Sequence, residues 1–141
     1  MASVRWADLQ RWSLVDVEFG TPKKDIEDKD CADVNTLYTY GINSNNEFSY
    51  RHMAIVLSKN LKNSNITVVP LTQTKYGDEE NISRIVLDSK KYPRFLYKDT
   101  SILCDNIITI EKRVRIKKIV QKWIPLPLRR KIQKTMFHSF K

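Results

Sequence analysis

The chain has 141 residues, of which 41% are hydrophobic, so it can form one small domain with a modest core. Its formal net charge of +9 is concentrated at one end: residues 111–141 carry 11 Lys/Arg and one acid, whereas residues 1–110 carry 14 Lys/Arg and 15 acids. No apolar run approaches the length that crosses a membrane, and residues 1–8 lack the apolar region of a signal peptide, so we expect a cytoplasmic protein.

Missing motifs exclude several classes of enzyme site. The sequence contains no P-loop and no GxGxxG, HExxH or GxSxG motif, which argues against nucleotide-dependent, redox and zinc-protease chemistry. Cys31 and Cys104 have neither CxxC nor Cys/His ligand spacing. We therefore expect two free thiols, no metal and no other cofactor.

The N-terminal part begins with a short predicted helix over residues 3–11 and a predicted strand over residues 13–19. Polar Asp16 and Glu18 alternate with apolar neighbours there, and this period of two is typical of a half-buried strand. Residues 21–46 are polar and irregular, with five acids between Asp25 and Asp33. A loop insertion of this length is expected to be functional or partly disordered.

Two apolar runs in the middle of the chain predict an antiparallel hairpin. Residues 53–58 and 66–71 are almost unbroken apolar segments, and the turn-forming cluster 59–65 separates them. His52 begins the first strand and Thr72 ends the second. Since antiparallel pairing places these two strand ends side by side, we expect His52 and Thr72 to share one site.

Two further strands follow the hairpin. Residues 82–87 form one, and a basic, aromatic connection over residues 88–99 leads to the other, over residues 101–110. Asp105 and Asn106 break this last run, which is typical of a bulge or an exposed strand edge.

The C-terminal part is predicted to be helical. Residues 115–120 place apolar side chains on one helical face, and Pro125 and Pro127 are expected to end that segment. Leu128, Ile132 and Met136 then recur every four residues, which predicts an amphipathic helix at about 127–141 that buries its apolar face in the core or a dimer contact. About five short strands and a terminal helix predict a mainly β domain over residues 1–141, built as a small, strongly bent antiparallel sheet or barrel.

The basic C-terminal segment allows two interpretations. A stripe of Lys and Arg is a plausible phosphate-binding surface. It is equally consistent with the solvated face of a helix.

Three blocks of sequence, in the same order, carry a resemblance to a known family. The blocks are residues 54–58 (Ala-Ile-Val-Leu-Ser), residues 69–72 (Val-Pro-Leu-Thr) and residues 98–112, with Arg115 and Ile116 just beyond. The chain resembles the MazF/PemK family of toxin ribonucleases from type II toxin–antitoxin pairs over roughly residues 13–20 and 47–120.

The resemblance implies a fold, an activity and partners. The fold is a small SH3-like antiparallel barrel (MazF/CcdB-like) with a C-terminal helix, and it forms a homodimer. The activity is metal-independent cleavage of single-stranded RNA (mRNA), in which the ribose 2′-hydroxyl attacks the adjacent phosphate. That chemistry needs a base, an acid and a donor or cation for the phosphate oxygens. The implied protein partner is a cognate acidic antitoxin, and no membrane partner is expected.

Residue by residue, the resemblance points to catalytic candidates. An ungapped alignment places His52 where the family has an arginine, and Met53 replaces the following proline. Either His52 exchanges the proton while Arg51 supplies the cation, or Arg51 takes the family role through a local shift; we favour His52. Thr72, Asp105 and Glu47 match further family positions. Two positions that are basic in some members are apolar here, at Leu103 and Ile108.

Binding candidates lie near these positions. Single-stranded RNA is held by cations on its phosphates and by aromatic rings under its bases. Lys75, Tyr76, Tyr50 and Asn106 are the RNA-binding candidates, with Phe48 as a further aromatic.

Two other functions remain open from the sequence. The departures at His52, Met53 and Leu103 are consistent with a non-catalytic nucleic-acid-binding module on the same fold. The acidic segment 25–33 and the basic C-terminal helix are consistent with a protein-interaction module.

Overall fold

The computed structural model describes residues 4–23, 42–43, 48–59 and 62–140. It is a mainly β structure with a C-terminal helix, which confirms the predicted fold class. The strands are β1 (Leu14–Glu18), β2 (Thr21–Pro22), β3 (Ile42–Asn43), β4 (Arg51–Lys59), β5 (Asn65–Gln73), β6 (Arg84–Leu87), β7 (Thr100–Leu103), β8 (Ile108–Glu111) and β9 (Ile116–Gln121). The helices are α1 (Lys112–Arg115) and α2 (Leu126–Ser139). Instead of the helix predicted over residues 3–11, the structure has one 3-10 turn, Trp6–Asp8.

Seven of these strands form one antiparallel sheet, in the order β6-β7-β5-β4-β1-β9, with β8 also paired to β5. Within the described ranges, β6 and β9 each pair with a single neighbour, so the ladder is bent but not closed into a barrel. The short strands β2 and β3 form a separate parallel pair. The rest of the predicted 21–46 insertion lies outside the described residues.

The predicted hairpin is confirmed as β4 and β5. The two strands pair in antiparallel register, with Ala54 opposite Pro70 and Ile55 opposite Val69. Their β-branched residues suit a pleated surface that is covered on both sides. This hairpin is the centre of the sheet, because β1 continues it on one side and β7 and β8 continue it on the other.

The predicted break at Asp105 and Asn106 is a turn that separates two strands. β7 pairs with residues 71–73 of β5, whereas β8 pairs with residues 65–68 of the same strand. The turn therefore interrupts the pairing along β5, where β7 is followed in the same direction by β8.

The prediction of a helix over residues 115–120 is wrong, because residues 116–121 form strand β9 against β1. The register places Ile116 opposite Val17 and Ile119 opposite Val15, and one of its two irregularities adds a residue to β9 between these isoleucines. A bulge of this kind turns a spacing of two into a spacing of three, so both isoleucines reach the same apolar cluster. The resulting pattern imitates the period of a helix. Pro127 begins α2 rather than ending a preceding helix, which suits its fixed φ angle.

The core consists of two apolar clusters on opposite faces of the sheet. Alternation along β4 places Ile55 in the first cluster and Ala54 and Val56 in the second. Helix α2 covers the first cluster with Leu128 and Ile132, which are 3% and 0% exposed. The apolar stripe predicted for this helix is therefore a core contact.

Cys104 also belongs to the first cluster and is fully buried. Burial raises the pKa of its thiol to about 12, with a further contribution from the nearby Asp105 carboxylate. The thiol is consequently neutral and unreactive in the folded protein. Cys31 lies outside the described residues.

Candidate functional site

A groove of about 460 Å³ lies where the ends of β1, β4, β5 and β9 meet the connection between β6 and β7. Its polar and charged lining comes from all five of these segments. The members that bear on chemistry are Asp16, His52, Thr72, Arg94, Lys98 and Lys118. The groove thus brings a histidine, a hydroxyl and several cations to one place.

His52 lines the groove with its ring packed among aromatic side chains. The ring centroid lies 4.5 Å from that of Phe48 and 6.4 Å from that of Phe19. Burial lowers the pKa of His52, a hydrogen bond with the Ser49 backbone partly opposes this effect, and the charge of Lys75 lowers the pKa further. The imidazole is therefore neutral at physiological pH and able to accept a proton.

Arg51 is not a lining residue of the groove, but it forms an ion pair with one. Its Nε and Nη2 atoms donate hydrogen bonds of 2.8 and 2.6 Å to Oδ2 of Asp16, which lines the groove. The Asp16 carboxylate raises the pKa of Arg51, so the guanidinium stays charged. Because Arg51 and His52 are consecutive in a strand, they occupy opposite faces, as the sequence predicts for a regular strand.

Tyr50 introduces this strand with an unusual backbone conformation. Its φ angle of 71° lies in the left-handed region, which tyrosine rarely adopts. Two backbone hydrogen bonds hold it there: Tyr50 N–H donates to Gly20 O at 2.7 Å, and Phe19 N–H donates to Tyr50 O at 2.8 Å. Backbone strain of this kind persists only where the surroundings impose it, and it fixes the direction in which Arg51 and His52 enter β4.

Thr72 lies in the groove lining near the end of β5, with Ser101 of β7 as its cross-strand partner. The loop that follows carries Lys75 and Tyr76, and Asp78 holds this loop in place. Its carboxylate accepts hydrogen bonds from the Lys75 N–H and the Ser101 hydroxyl, each at 2.8 Å, and both lower its pKa. Tyr76 is fully exposed.

Asp105 and Asn106 are not brought to the groove. Asp105 follows β7 in a turn and forms an ion pair with Arg84, and neither residue is part of the groove lining. Asn106 lies in the same turn, where its N–H donates to Leu103 O. Glu47 lies outside the described residues.

The groove residues that the sequence interpretation did not name as site residues include Arg94, Tyr97, Lys98 and Lys118. The first three lie in the connection that was noted only as basic and aromatic. Lys118 was assigned to a helix, and its groove position depends on β9 being a strand. The basic and aromatic composition of residues 88–99 was the one sequence signal that pointed to this side of the groove.

The arrangement fits acid–base chemistry on a phosphate ester. A neutral imidazole can accept a proton, a hydroxyl can donate a hydrogen bond to a phosphate oxygen, and cations stabilise developing negative charge. Within the described ranges, no three His, Cys, Asp or Glu side chains are grouped so that they could hold a metal ion. None of the helices in the described part of the chain is long and apolar enough to span a bilayer.

A family model matches most of the chain. Residues 33–136, well over half of the chain, match the family model of the PemK-like, MazF-like toxin of type II toxin–antitoxin systems. No curated protein sequence matches the chain significantly.

Solved structures share the fold at low sequence identity. An endoribonuclease in complex with its cognate antitoxin, from a mycobacterial species, is 14% identical with a TM-score of 0.56, over 92% of this chain and 91% of that one. The Mycobacterium tuberculosis toxin MazF-mt6 is 17% identical with a TM-score of 0.52, over 64% of this chain and 87% of that one. An Mtb toxin is 17% identical with a TM-score of 0.50, over 63% and 92% respectively.

Proposed function

The chain belongs to the family of PemK-like, MazF-like toxins of type II toxin–antitoxin systems, and we propose that it is an endoribonuclease that cleaves single-stranded RNA without a metal ion. The groove lined by His52 and Thr72 is its active site. The protein acts in the cytoplasm, where its mRNA substrate is found.

One observation carries this proposal: the groove joins a neutral histidine and a threonine hydroxyl to walls that bear three cations. Arg94, Lys98 and Lys118 line the groove, and the charge of Asp16, its one acidic lining residue, is already paired with Arg51. A site of this sign and composition suits a phosphodiester rather than an acidic protein side chain or a metal ion.

In the proposed reaction, His52 takes the proton from a ribose 2′-hydroxyl. The freed oxygen attacks the adjacent phosphorus, and the bond from phosphorus to the 5′-oxygen breaks. The departing 5′-oxygen takes a proton from solvent water, so that a cyclic phosphate and a 5′-hydroxyl end result. Thr72 donates a hydrogen bond to a phosphate oxygen. Arg51 stabilises the negative charge that develops on the phosphate.

Two predicted residues have no part in this proposal. Asp105 is engaged with Arg84 outside the groove lining, and Glu47 is not among the described residues. Their assignment by family resemblance stays a prediction.

The proposed protein partners are a cognate acidic antitoxin and a second copy of the chain. One of the structures that share the fold is an endoribonuclease bound to its antitoxin. The C-terminal excess of positive charge in this chain suits an acidic partner.

A ribonuclease assay with the full-length protein tests the activity. Labelled single-stranded RNA is incubated in EDTA, and the products are examined for cyclic phosphate ends. We expect discrete cleavage by the wild type and a loss of at least about 100-fold in His52→Ala, since general base catalysis contributes 10²–10⁴-fold. His138→Ala is the matched control, because His138 is the other histidine and is exposed on α2.

The outcomes separate the proposed functions. Cleavage that persists unchanged in a folded His52→Ala protein contradicts the assignment of the base. RNA that is bound but not cut by the wild type contradicts the enzyme and supports a non-catalytic binding module on the same fold.

A further inference from the structure

One wall of the groove consists of residues 94–98, which belong to the connection between β6 and β7. Arg94, Tyr97 and Lys98 of this 94–98 wall all line the groove that also contains His52 and Thr72. The wall therefore faces the proposed reaction centre.

The wall is anchored to the core from within. Leu96 is buried, with 4% of its surface exposed, and it belongs to the first apolar cluster. Its N–H donates to Tyr92 O at 3.0 Å, and the rings of Tyr92 and Phe95 pack with centroids 5.6 Å apart against the same cluster. Three of the apolar side chains in this region thus fix its position.

The end of the wall is tied to the sheet by hydrogen bonds. Asp99 accepts from the N–H and the hydroxyl of Ser89 at 3.0 and 3.2 Å, and its carbonyl accepts from Thr74 N–H at 3.1 Å. The Thr100 hydroxyl donates to Lys98 O at 2.9 Å. Since both ends of the segment are held, its backbone is anchored to the rest of the domain.

Tyr97 is the exception among the aromatic residues of this connection. Its side chain is fully exposed, at 102% of the reference value, while Tyr92 and Phe95 pack against the core. A tyrosine side chain that is exposed to solvent contributes little to the stability of the fold. An exposed ring on this anchored segment, between Arg94 and Lys98, has the composition of a surface that stacks an unpaired base and binds its phosphates.

We propose that the 94–98 wall is a nucleotide-binding subsite for single-stranded RNA, in which Tyr97 stacks on a base and Arg94 and Lys98 bind the phosphates beside the cleaved linkage. This inference rests on the proposed function in taking RNA as the ligand. In this proposal the 94–98 wall, which contains none of the catalytic residues, binds the RNA and selects unpaired over paired strands. Base-paired RNA is a poor ligand because its bases are already stacked on one another.

The stacking role is tested with an RNA that cannot be cleaved. The probe is a fluorescent 2′-O-methyl oligonucleotide of about 12 nucleotides, within the usual site size for such surfaces, and its binding is followed by anisotropy. We expect Tyr97→Ser to bind roughly tenfold more weakly, the ratio that corresponds to about 1.4 kcal/mol. Tyr97→Phe keeps the ring and should retain wild-type affinity.

Phe137→Ser is the matched control for the loss of an exposed ring. Phe137 is 78% exposed on α2 and lines a different cavity, with Trp12 and Met136, rather than the groove. Unchanged affinity in Phe137→Ser together with reduced affinity in Tyr97→Ser supports a specific stacking position. Equal affinity of the wild type and Tyr97→Ser overturns it.

The phosphate contacts are tested by the salt dependence of the same binding. Each phosphate contact on a single strand contributes about 0.7 to the slope of log K against log salt concentration. Arg94→Ala and Lys98→Ala should each lower the slope by roughly that amount, whereas Lys131→Ala, an exposed cation of α2, should not. An unchanged slope in both wall variants overturns the phosphate-binding role.

These experiments distinguish the wall from the activity. If the wild type binds the uncleavable RNA through Tyr97 but does not cut ordinary RNA, the nucleotide-binding role of the wall is supported and the enzyme proposal fails. If the wild type cuts RNA and Tyr97→Ser has the same affinity and the same kcat/KM as the wild type, the nucleotide-binding role of the wall is contradicted and the enzyme proposal is supported. If a duplex probe binds as tightly as the single strand, the proposed selection of unpaired RNA by the wall is also contradicted.

Discussion

Arg51 and Asp16 form an ion pair that crosses the β1–β4 ladder two residues out of register. The Cα partner of Arg51 is Glu18, yet its guanidinium donates to Asp16, 2.6 Å away at the shorter contact. Because Asp16 lines the groove, the diagonal pair directs the cation toward the proposed reaction centre. A pair with Glu18 would leave the guanidinium nearer the end of the strand.

Breaking this pair should affect activity more than stability. The Arg51 and Asp16 side chains are 56% and 21% exposed, so a double-mutant cycle on unfolding free energy should give a coupling of at most about 1 kcal/mol. We expect Arg51→Ala to lower kcat/KM by roughly 100-fold, as for the loss of a charge-stabilising donor. Asp16→Asn leaves the Arg51 guanidinium in place but removes the charge that holds it. This variant should also lower kcat/KM, by a smaller factor. Wild-type kcat/KM in Arg51→Ala contradicts a role for this residue.

The lowered pKa of His52 sets a pH dependence for catalysis. The base must be neutral, and burial favours the neutral ring, so the acidic limb of kcat/KM should have its midpoint below the ordinary histidine value of about 6.5. A pH–rate profile from about pH 4 to about pH 8, which extends below and above the ordinary histidine value, measures the midpoint. A midpoint above the ordinary value is incompatible with a buried His52 as the base.

The same group should make folding sensitive to acid. As pH falls through the unfolded-state pKa of about 6.5, the unfolded chain binds a proton before folded His52 does, so stability decreases until pH passes the lowered folded pKa. Urea unfolding at several pH values measures this loss. His52→Gln should reduce the slope in that window, and His138→Gln serves as the comparison variant.

Asp78 should control the order of the loop that carries Lys75 and Tyr76. Its ionised carboxylate accepts from Lys75 N–H and the Ser101 hydroxyl, so Asp78→Ala should speed hydrogen exchange at the Lys75 amide. Because these contacts lower the pKa of Asp78, their stabilisation is present above the ordinary Asp value of about 3.9 and is lost as pH falls through the lowered folded value. Glu79→Ala, at the exposed neighbouring position, should leave hydrogen exchange at the Lys75 amide unchanged. Equal exchange rates in the two variants contradict a role of Asp78 in ordering this loop.

Ile132 should be a major stabilising contact of helix α2. It is fully buried in the first apolar cluster, and truncation of such a side chain leaves a cavity that costs about 2–5 kcal/mol. Urea unfolding of Ile132→Ala measures the loss. The adjacent exposed Lys131→Ala should stay within about 0.5 kcal/mol of the wild type, and a similarly small loss for Ile132→Ala means that α2 is not a core element.

The sequence predicts elements well where one local pattern determines them. The hairpin is found because two apolar runs flank a polar turn, and α2 because Leu128 and Ile132 share a helical face. β9 is missed because its bulge depends on pairing with β1, and that partner lies about 100 residues earlier in the chain. A periodicity argument sees only the altered spacing of Ile116 and Ile119.

The candidate site divides in the same way. His52 and Thr72 were expected together because they end two strands of one hairpin, and both line the groove. The 94–98 wall has no local signal of this kind, since the positions of Arg94 and Lys98 follow from the burial of Leu96. The Asp16–Arg51 pair was also missed, because alternation assigns Asp16 only to one face of a strand.

Burial of Cys104 gives the protein an internal reporter of unfolding. A thiol that is neutral and enclosed in the core reacts with an alkylating reagent only when the surrounding cluster opens. In a Cys31→Ser background, the modification rate of Cys104 under native conditions therefore measures how often the core is exposed. Ligands that stabilise the folded chain, such as a bound RNA or an antitoxin, should slow that rate by the factor 1 + [L]/Kd, without any label being added to the groove.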